Sequence, residues 1–362
     1  MPSIREFTER DVPAVVALFE RVYPAHRWAS KDACEQYLRH VLFANPWRAP
    51  DLPSWVSEEN GRIAGFVGVV PRSMVLRGRP IRAAVGCLYM VDPDRRNSLI
   101  ALELVRAALA GPQDLFIADG ANDDARRLLL GAGGRAPLPY SLHWTRLLRP
   151  ARYALSFIGG PGKIGLASLA LRPLCALADA LLAVLRPGRF HPGRDGLADE
   201  ALDATTMLSH LPRLLRGSVL HASYDAPALA WLLGQAALKT RHGKFRARAV
   251  FDRKRQLAGW FLYYVRPGEV GEVLQLMAVD GSFDGVLQKL LSDARRHGAT
   301  AVRGRLDPRH VQELSDRHGW LRREGTWTLV HSRHADIVAA FESGDADLSR
   351  LDGEWWLRFL GG

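Results

Sequence analysis

The stretch that most restricts how this chain can fold is the run 86–110, which reads GCLYMV, then DPDRRNS, then LIALELVRAALA. Its first six residues are mostly apolar and bounded by turn-forming residues, which predicts a buried strand closed by Pro93. Between Leu99 and Leu109, leucine and valine then recur at steps of three and four residues, the spacing of a helix. The sequence therefore predicts a strand, a tight turn and a helix in direct succession.

The turn itself, Arg95 to Ser98, is basic and polar. Asn97 or Ser98 can cap the helix that follows. A helix that begins directly after a buried strand presents free backbone N–H groups, and these groups bind anions with help from the helix dipole. We therefore expect the turn to hold phosphate groups, the alternative being a plain corner with solvated arginines.

This turn resembles the coenzyme A pyrophosphate loop of the GNAT acyltransferase superfamily, in which a strand is followed by Arg/Gln-x-x-Gly-x-Gly/Ala and a helix. Here Arg96 begins the matching segment, Leu99 stands at the first glycine and Ala101 at the final small residue. The resemblance implies acetyl-CoA or a longer acyl-CoA as co-substrate. The residues that it implies for coenzyme A binding are Met90, Val91, Arg95, Arg96, Asn97, Ser98, Leu99, Ile100, Ala101 and Asn122.

Two flanking segments resemble the same superfamily. Residues 4–19 resemble the first strand and helix of GNAT domains, which lie beside the acceptor groove, so Tyr23, His26 and Trp28 are expected at the acceptor substrate. Asn122 follows a predicted strand at 114–118 and opens the next helix. In many family members that helix carries a tyrosine that protonates the departing thiolate, and Leu129 stands at its position.

Amide formation from a thioester needs a base for the amine proton and donors to the carbonyl oxygen. The catalytic candidates are Glu58, Tyr89 and Asp119, although Glu58 adjoins a hairpin turn and could equally be solvated. Cys87 has no evident His–Asp pair to make it a nucleophile. The histidines lack metal-ligand spacing, so no metal is expected.

A second copy of the pattern begins near residue 200. Gly65 and Gly259 are 194 residues apart and lie in similar segments, RIAGF and QLAGW, which indicates a duplication. The turn of the second copy, DGSFDG, has two acids and no arginine, so we place the cofactor in the first copy. The predicted fold is α/β (α+β): two tandem GNAT-like domains, each a mixed, mostly antiparallel sheet flanked by helices. The predicted boundaries are 1–149 for an acyl-CoA-binding domain, 150–199 for a linker and 200–362 for a degenerate second domain.

The segment 150–196 is rich in proline and glycine and contains apolar stretches at 164–171 and 174–185, flanked by arginines. Two interpretations stay open: helices packed between two domains, or a helix pair on an anionic membrane.

The chain has a net charge of +11. Nucleic acid is the least favoured partner, because zinc-finger spacing and basic–aromatic runs are missing. Three scattered cysteines favour a cytoplasmic location. The segment 150–196 leaves open a location peripheral to the inner face of the membrane.

The function predicted is transfer of an acyl group from acyl-CoA to an amine acceptor. Two-domain relatives, including the Fem-type transferases, imply a small-molecule or glycan-precursor acceptor, such as a cell-envelope or polysaccharide precursor. The alternatives are a catalytically inactive GNAT-fold binding scaffold and a tRNA-dependent aminoacyl transferase of the Fem type.

Overall fold

The computed structural model describes residues 3–24, 30–96, 98–158, 166–186, 190 and 196–355. The strands are β1 (Ser3–Glu6), β2 (Trp55–Glu59), β3 (Arg62–Leu76), β4 (Arg79–Val91), β5 (Leu115–Ala121), β6 (Leu142–Leu147), β7 (Ala198–Ala201), β8 (Leu220–Ala222), β9 (Lys244–Phe251), β10 (Leu257–Val265), β11 (Val270–Ala278), β12 (Ala301–Arg305), β13 (Trp320–Arg323) and β14 (Trp327–His331). The helices are α1 (Val12–Val22), α2 (Lys31–Phe43), α3 (Ile100–Leu109), α4 (Asp123–Gly131), α5 (Leu138–Ser141), α6 (Pro150–Ile158), α7 (Leu166–Leu185), α8 (Ala204–Leu214), α9 (Ala226–Leu238), α10 (Phe283–Arg296), α11 (Val311–Asp316) and α12 (Ala335–Glu342).

The chain forms two compact units, and it passes between them more than once. Unit 1 contains residues 1–141, 217–241 and 323–362, and unit 2 contains residues 142–216 and 242–322. This division differs from the predicted boundaries at 149 and 199. The reason is that each unit takes a strand from the opposite end of the chain, which backbone pairing decides and local sequence does not reveal.

Unit 1 is built on a sheet with the strand order β1-β2-β3-β4-β5-β14, and β8 also pairs with β3. β4 and β5 run parallel, whereas the other pairs in this sheet are antiparallel. The predicted hairpin turn at Asn60–Gly61 joins β2 to β3. Side chains alternate between the two faces, so that Ala83 belongs to one buried cluster and Ala84 to the other.

Unit 2 repeats this arrangement with the order β13-β6-β12-β11-β10-β9-β7. Its parallel pair is β11–β12, and β6 runs antiparallel to β12 just as β14 runs antiparallel to β5. The mixed sheets flanked by helices confirm the predicted fold class.

Gly65 and Gly259 show that the repeat is structural. A Cβ atom built on Gly65 would clash with Ile100 in α3, and one built on Gly259 would meet Val286 in α10 at 2.9 Å. In both units the glycine lets the helix that follows the central strand lie close to the sheet. Ile100 of α3 therefore corresponds to Val286 of α10.

One further difference from expectation lies in α7. The apolar stretches at 164–171 and 174–185 are not separate where the structure describes them, because α7 continues from Leu166 through Pro173 to Leu185. The tail forms a short 3₁₀ turn at Arg350–Asp352 with Trp355 buried after it. Among the described residues, no helix is both long and apolar enough to cross a bilayer.

Candidate active site

The site in unit 1 begins where β4 and β5 separate. Their parallel ladder runs from Ala83–Leu115 to Val85–Ile117 and then stops. Gly86 follows directly, and a Cβ atom there would overlap the ring of Phe116, so only glycine allows this ring to approach the strand. Past this point the backbone of β4 has no ladder partner on the β5 side among the described residues.

A β-bulge reshapes β4 beyond Gly86. The pairing with β3 shifts between Phe66–Met90 and Gly68–Cys87, and Leu88 adopts a positive φ of 47°. A leucine in this region is strained, and such strain is concentrated at functional sites. The bulge turns Cys87 to Tyr89 away from the regular ladder and toward the opening between the two strands.

A cavity of about 380 Å³ fills this opening. β4 lines it with Gly86 to Tyr89, and β5 with Ala118, Gly120 and Ala121. Helices α3 and α4 add mostly small or aliphatic side chains. The other side chains on its wall include Phe19, Tyr23, Val105, Ala108, Asn122, Ala125, Leu129, Leu329 and Glu354. The result is a narrow, largely apolar cleft between two splayed strands, suited to a slender ligand with a carbon chain.

Two of the predicted cofactor residues on β4 lie outside the wall of this cleft. Met90 is buried and pairs with Phe66, and Val91 pairs with Gly65. The bulge accounts for this, because it places Gly86 to Tyr89, and not the last two residues of the strand, at the cavity.

α3 begins at Ile100, directly after the predicted turn, with Leu99 at the N-cap position where Asn97 or Ser98 was expected. Ser98 Oγ donates a hydrogen bond to the carbonyl of Arg95 at 2.7 Å and accepts one from the Ile100 amide at 3.4 Å. The Ile100 side chain is buried against the sheet, so only its backbone is available at the N-terminus of α3. Leu99 is 67% exposed at the N-cap position. Asn97 lies outside the described residues.

The two arginines of the turn are in different states. Arg95 Nε donates to Glu59 Oε2 at 2.6 Å, and this hydrogen bond raises the pKa of Arg95. Arg96 is exposed and forms no ion pair or side-chain hydrogen bond within the described part of the chain. Arg96 is therefore the cation that a phosphate could engage at once, whereas Arg95 would first have to leave Glu59.

Glu354 is a site residue that the sequence did not indicate. Its side chain lines the cavity, and a Cβ atom on Gly120 would overlap its Oε1. Its backbone amide donates to Asp119 Oδ1 at 2.8 Å, which fixes the tail against the end of β5. Glu354 lies 234 residues after Gly120 in the sequence, so no local pattern could connect them.

The tail that carries Glu354 is held at several points. Tyr140 Oη donates to the carbonyl of Ala346 at 2.8 Å. The buried guanidinium of Arg72 lies 3.6 Å from the ring centroid of Trp47, and its Nη2 donates to the carbonyl of Leu351 at 3.5 Å. Tyr224 donates to Asp352. These contacts fix the backbone next to Glu354 and hence the direction of its carboxylate.

Two predicted catalytic carboxylates have structural partners. Asp119 is buried, and its carboxylate accepts from the Glu354 amide and lies against Gly353. Glu58 accepts from Arg5 Nε at 2.8 Å, in a cluster where Arg5 also pairs with Asp11. Neither carboxylate is on the wall of the cavity, because both are needed to hold backbone or strand edges together.

Tyr89, the third catalytic candidate, does line the cavity. Its hydroxyl donates to the carbonyl of Ala101 at 2.7 Å, and burial raises its pKa, so the phenol stays protonated at neutral pH.

Cys87 also lies on the wall of the cavity. Burial, with the nearby charges of Glu354 and Asp119, raises the pKa of its thiol well above the usual value. A neutral thiol is a poor nucleophile, which argues against covalent catalysis by Cys87.

The other predicted residues fall into two groups. Asn122 lies at the cavity and caps α4, its Oδ1 accepting from the Ala125 amide at 2.9 Å. Leu129 is buried beside the cavity, so α4 offers no hydroxyl at that position. Tyr23 also lines the cavity, and burial followed by the charge of Glu354 raises its pKa. His26 and Trp28 lie outside the described residues.

No group of three or more His, Cys, Asp or Glu side chains suited to a metal ion occurs in the part of the chain that the structure describes.

Comparison with known proteins agrees with this geometry. Residues 3–113 match the model of the acetyltransferase (GNAT) domain family. A probable N-acyltransferase from Enterococcus faecalis V583 is similar in structure, with a TM-score of 0.58 and 8% identity over 92% of this chain and 73% of that one. No curated protein is significantly similar in sequence.

Two further structures of GCN5-related N-acetyltransferases are similar. The one from Anabaena variabilis has a TM-score of 0.57 and 9% identity over 91% of this chain and 72% of that one. The one from Kribbella flavida has a TM-score of 0.56 and 12% identity over 92% of this chain and 72% of that one. At these identities the likeness shows the fold. The family match covers residues 3–113 and agrees with the resemblance of the N-terminal part of the chain to GNAT domains.

Proposed function

We propose that the protein is an N-acyltransferase that uses the cleft of unit 1 to transfer an acyl group from acyl-CoA to an amine. The observation that carries the proposal is the separation of β4 from β5 above a carboxylate, Glu354. A cleft between splayed strands exposes backbone amides to a ligand, and a carboxylate at its wall can remove a proton from an amine.

The cleft fits the acyl-CoA donor in shape and chemistry. Its walls are small or aliphatic at Ala118, Gly120, Ala121 and Ala125, which leaves room for a thin chain. The backbone of β4 after Gly86 can form hydrogen bonds with the amides of a pantetheine arm, as an added strand would. The mouth of α3, with Arg96 beside it, would receive the diphosphate. When bound, the donor supplies a thioester carbonyl as the electrophile.

We assign the base to Glu354 in place of the carboxylates that the sequence suggested. Its carboxylate lies at the cavity wall near Tyr23 and Cys87, whose pKa values are raised mainly by burial and further by the charge of Glu354. In this position it would accept a proton from the amine as the nitrogen attacks. Tyr23, on the α1 side of the cavity, would contact the acceptor. The acceptor is proposed to be a small-molecule or glycan-precursor amine.

Calorimetric titration tests the first half of the proposal. Acetyl-CoA and desulfo-CoA are expected to bind the wild-type protein with one site per chain. Arg96→Glu is expected to weaken that binding, whereas Arg255→Glu, an exposed arginine in unit 2 paired with Glu200, serves as a matched control. A folded protein that binds neither ligand would contradict the proposal.

The binding-scaffold alternative also has structural support. Leu99 stands at the mouth of α3, and Glu59 places a negative charge beside Arg95. Both features weaken diphosphate binding. Titration distinguishes the two functions, because a scaffold would fold normally and leave acetyl-CoA unbound.

A further inference from the structure

One surface of unit 2 is unlike the rest of the described exterior. Every exposed residue from 171 to 186, along α7, is apolar or arginine. Five of them, spaced as on one helical face, are 54% to 77% exposed. These five, which we call the α7 stripe, are Leu174, Leu177, Leu181, Val184 and Leu185. A row of exposed leucines of this length marks an interaction surface.

The one acidic side chain of α7, Asp179, determines which face of this helix packs against α6. Asp179 is buried and accepts hydrogen bonds from the Ala151 amide at 2.8 Å and from Arg152 Nε at 3.0 Å. These bonds attach α7 to the first turn of α6. Because Asp179 must face α6, the α7 stripe must face outward, and the exposure is built into the fold.

The charged side chains exposed between residues 171 and 186 are all positive. Arg172 and Arg186 are exposed, and each is seven residues from Asp179, so they lie on its side of the helix, away from the stripe. Between residues 149 and 194 the sequence has seven basic residues and a single acid, and that acid is Asp179. On α6, Phe157 is also 67% exposed.

We infer that the α7 stripe docks on an anionic lipid surface, with α7 lying in the plane of the headgroups. An apolar face combined with arginines on the opposite side is the pattern of interfacial helices. The surplus of positive charge is complementary to anionic headgroups. A second copy of the chain carries the same positive surplus, so pairing of two stripes would bring like charges together. No helix in the described residues could span the bilayer, which agrees with surface binding.

Flotation with lipid vesicles tests this inference without any assay of activity. Wild-type protein is expected to bind vesicles of phosphatidylcholine with one third phosphatidylglycerol about tenfold more tightly than pure phosphatidylcholine vesicles, and less tightly at high salt. The double variant Leu177→Glu/Leu181→Glu is expected to abolish binding. Leu238→Glu, which changes an equally exposed leucine on α9 of unit 1, is the matched control and is expected to bind like wild type.

Three results would overturn the inference. The first is absence of wild-type binding to the anionic vesicles, and the second is equal binding to neutral ones. The third is a stable dimer in sedimentation velocity that Leu177→Glu/Leu181→Glu converts to monomer, because the occupant of the stripe would then be a second copy. A circular dichroism melt of each variant confirms that it is folded, and Leu177→Ala/Leu181→Ala replaces the charged variant if it is not.

Discussion

Units 1 and 2 use the same strand–turn–helix element in opposite ways. In unit 1, α3 faces a cavity with Val105 and Ala108. In unit 2 the corresponding helix is α10, and by the correspondence of Ile100 with Val286, Leu287 and Leu291 stand where unit 1 has Ala101 and Val105. Both leucines are buried in the core of unit 2. The two copies share the framework, and the larger side chains of α10 accompany a filled core where unit 1 has a cavity.

The strands β5 of unit 1 and β12 of unit 2 also have different close neighbours. In unit 2 the ring of Trp144, from β6, lies so close to Gly304 of β12 that a Cβ atom there would be 2.8 Å from it. In unit 1 the close neighbour of the corresponding strand is the carboxylate of Glu354 over Gly120. One unit places an aromatic ring at the end of the parallel strands, and the other places an acid.

The N-termini of α3 and α10 differ as well. At α3, Arg96 is exposed, whereas at α10 the carboxylate of Asp284 pairs with Arg317. The ring of Phe283 stacks on His310, with 3.7 Å between their centroids. A carboxylate repels a diphosphate, and a stacked pair occupies the approach to the helix. Unit 1 therefore combines small side chains at a cavity with an exposed arginine at the N-terminus of α3, whereas the corresponding part of unit 2 is a filled core with a paired carboxylate.

The largest effect is expected from replacing Glu354, the carboxylate at the cavity of unit 1. Glu354→Gln should lower kcat about a thousandfold, within the usual contribution of a general base. It should also remove the acidic limb of the pH profile of kcat/KM, while leaving acetyl-CoA affinity unchanged in calorimetry. Asp119→Asn is a less direct control, since Asp119 fixes the tail. Activity of Glu354→Gln within tenfold of wild type would show that the base lies elsewhere.

Truncating a core leucine of unit 2 and enlarging a side chain at the cavity of unit 1 should have unequal effects on the free energy of unfolding. Leu290→Ala in unit 2 should lower the free energy of unfolding by about 2–5 kcal/mol, because it leaves a cavity in a close-packed core. Ala125→Leu in unit 1 should change that free energy by less than about 1 kcal/mol, since space is available, and should weaken acetyl-CoA binding. Chemical denaturation and calorimetry measure the two quantities. A large loss of stability in Ala125→Leu would mean that the cleft is a packed core.

The two arginines of the α3 turn should be unequal. Arg96→Glu should weaken acetyl-CoA binding about tenfold, consistent with the loss of one charge-assisted contact. Arg95→Glu should have a smaller effect, because Arg95 is already paired with Glu59. Calorimetry at two salt concentrations measures both, and a larger effect of Arg95→Glu would indicate that the ion pair opens on binding.

The smallest effect is expected for the tyrosine on the bulge. Tyr89→Phe should lower kcat by only a few-fold, because its hydroxyl donates to the carbonyl of Ala101 and serves to position β4 against α3. Steady-state kinetics measure it. A loss comparable to that of Glu354→Gln would instead make Tyr89 a proton donor in the reaction.

Much of the cleft could be predicted because its signals are local. The apolar run before Pro93, the helical spacing after Ser98 and the asparagine that opens α4 each act within a few residues. The repeat was visible because glycine is required where a helix crosses close to a strand, at Gly65 and again at Gly259. The bulge at Leu88 left no such signal, so the sequence did not show that Gly86 to Tyr89 line the cavity and that Met90 and Val91 do not.

The partners of the charged residues were harder to predict, because they depend on contacts between distant parts of the chain. Arg95 reaches Glu59 across a strand pair, and Glu58 reaches Arg5 in the first strand. A sequence shows that such groups are charged, but their pairing depends on side-chain directions that only packing fixes.

The sequence by itself determined the class of fold, the duplication and the position of the basic turn, since hydrophobic spacing and turn chemistry act over short distances. The tertiary structure alone decided that β6 and β14 join sheets far from their neighbours in sequence, and that the tail brings Glu354 to the cleft. The physical reason is that backbone pairing and burial join segments more than two hundred residues apart, as between Asp119 and Glu354.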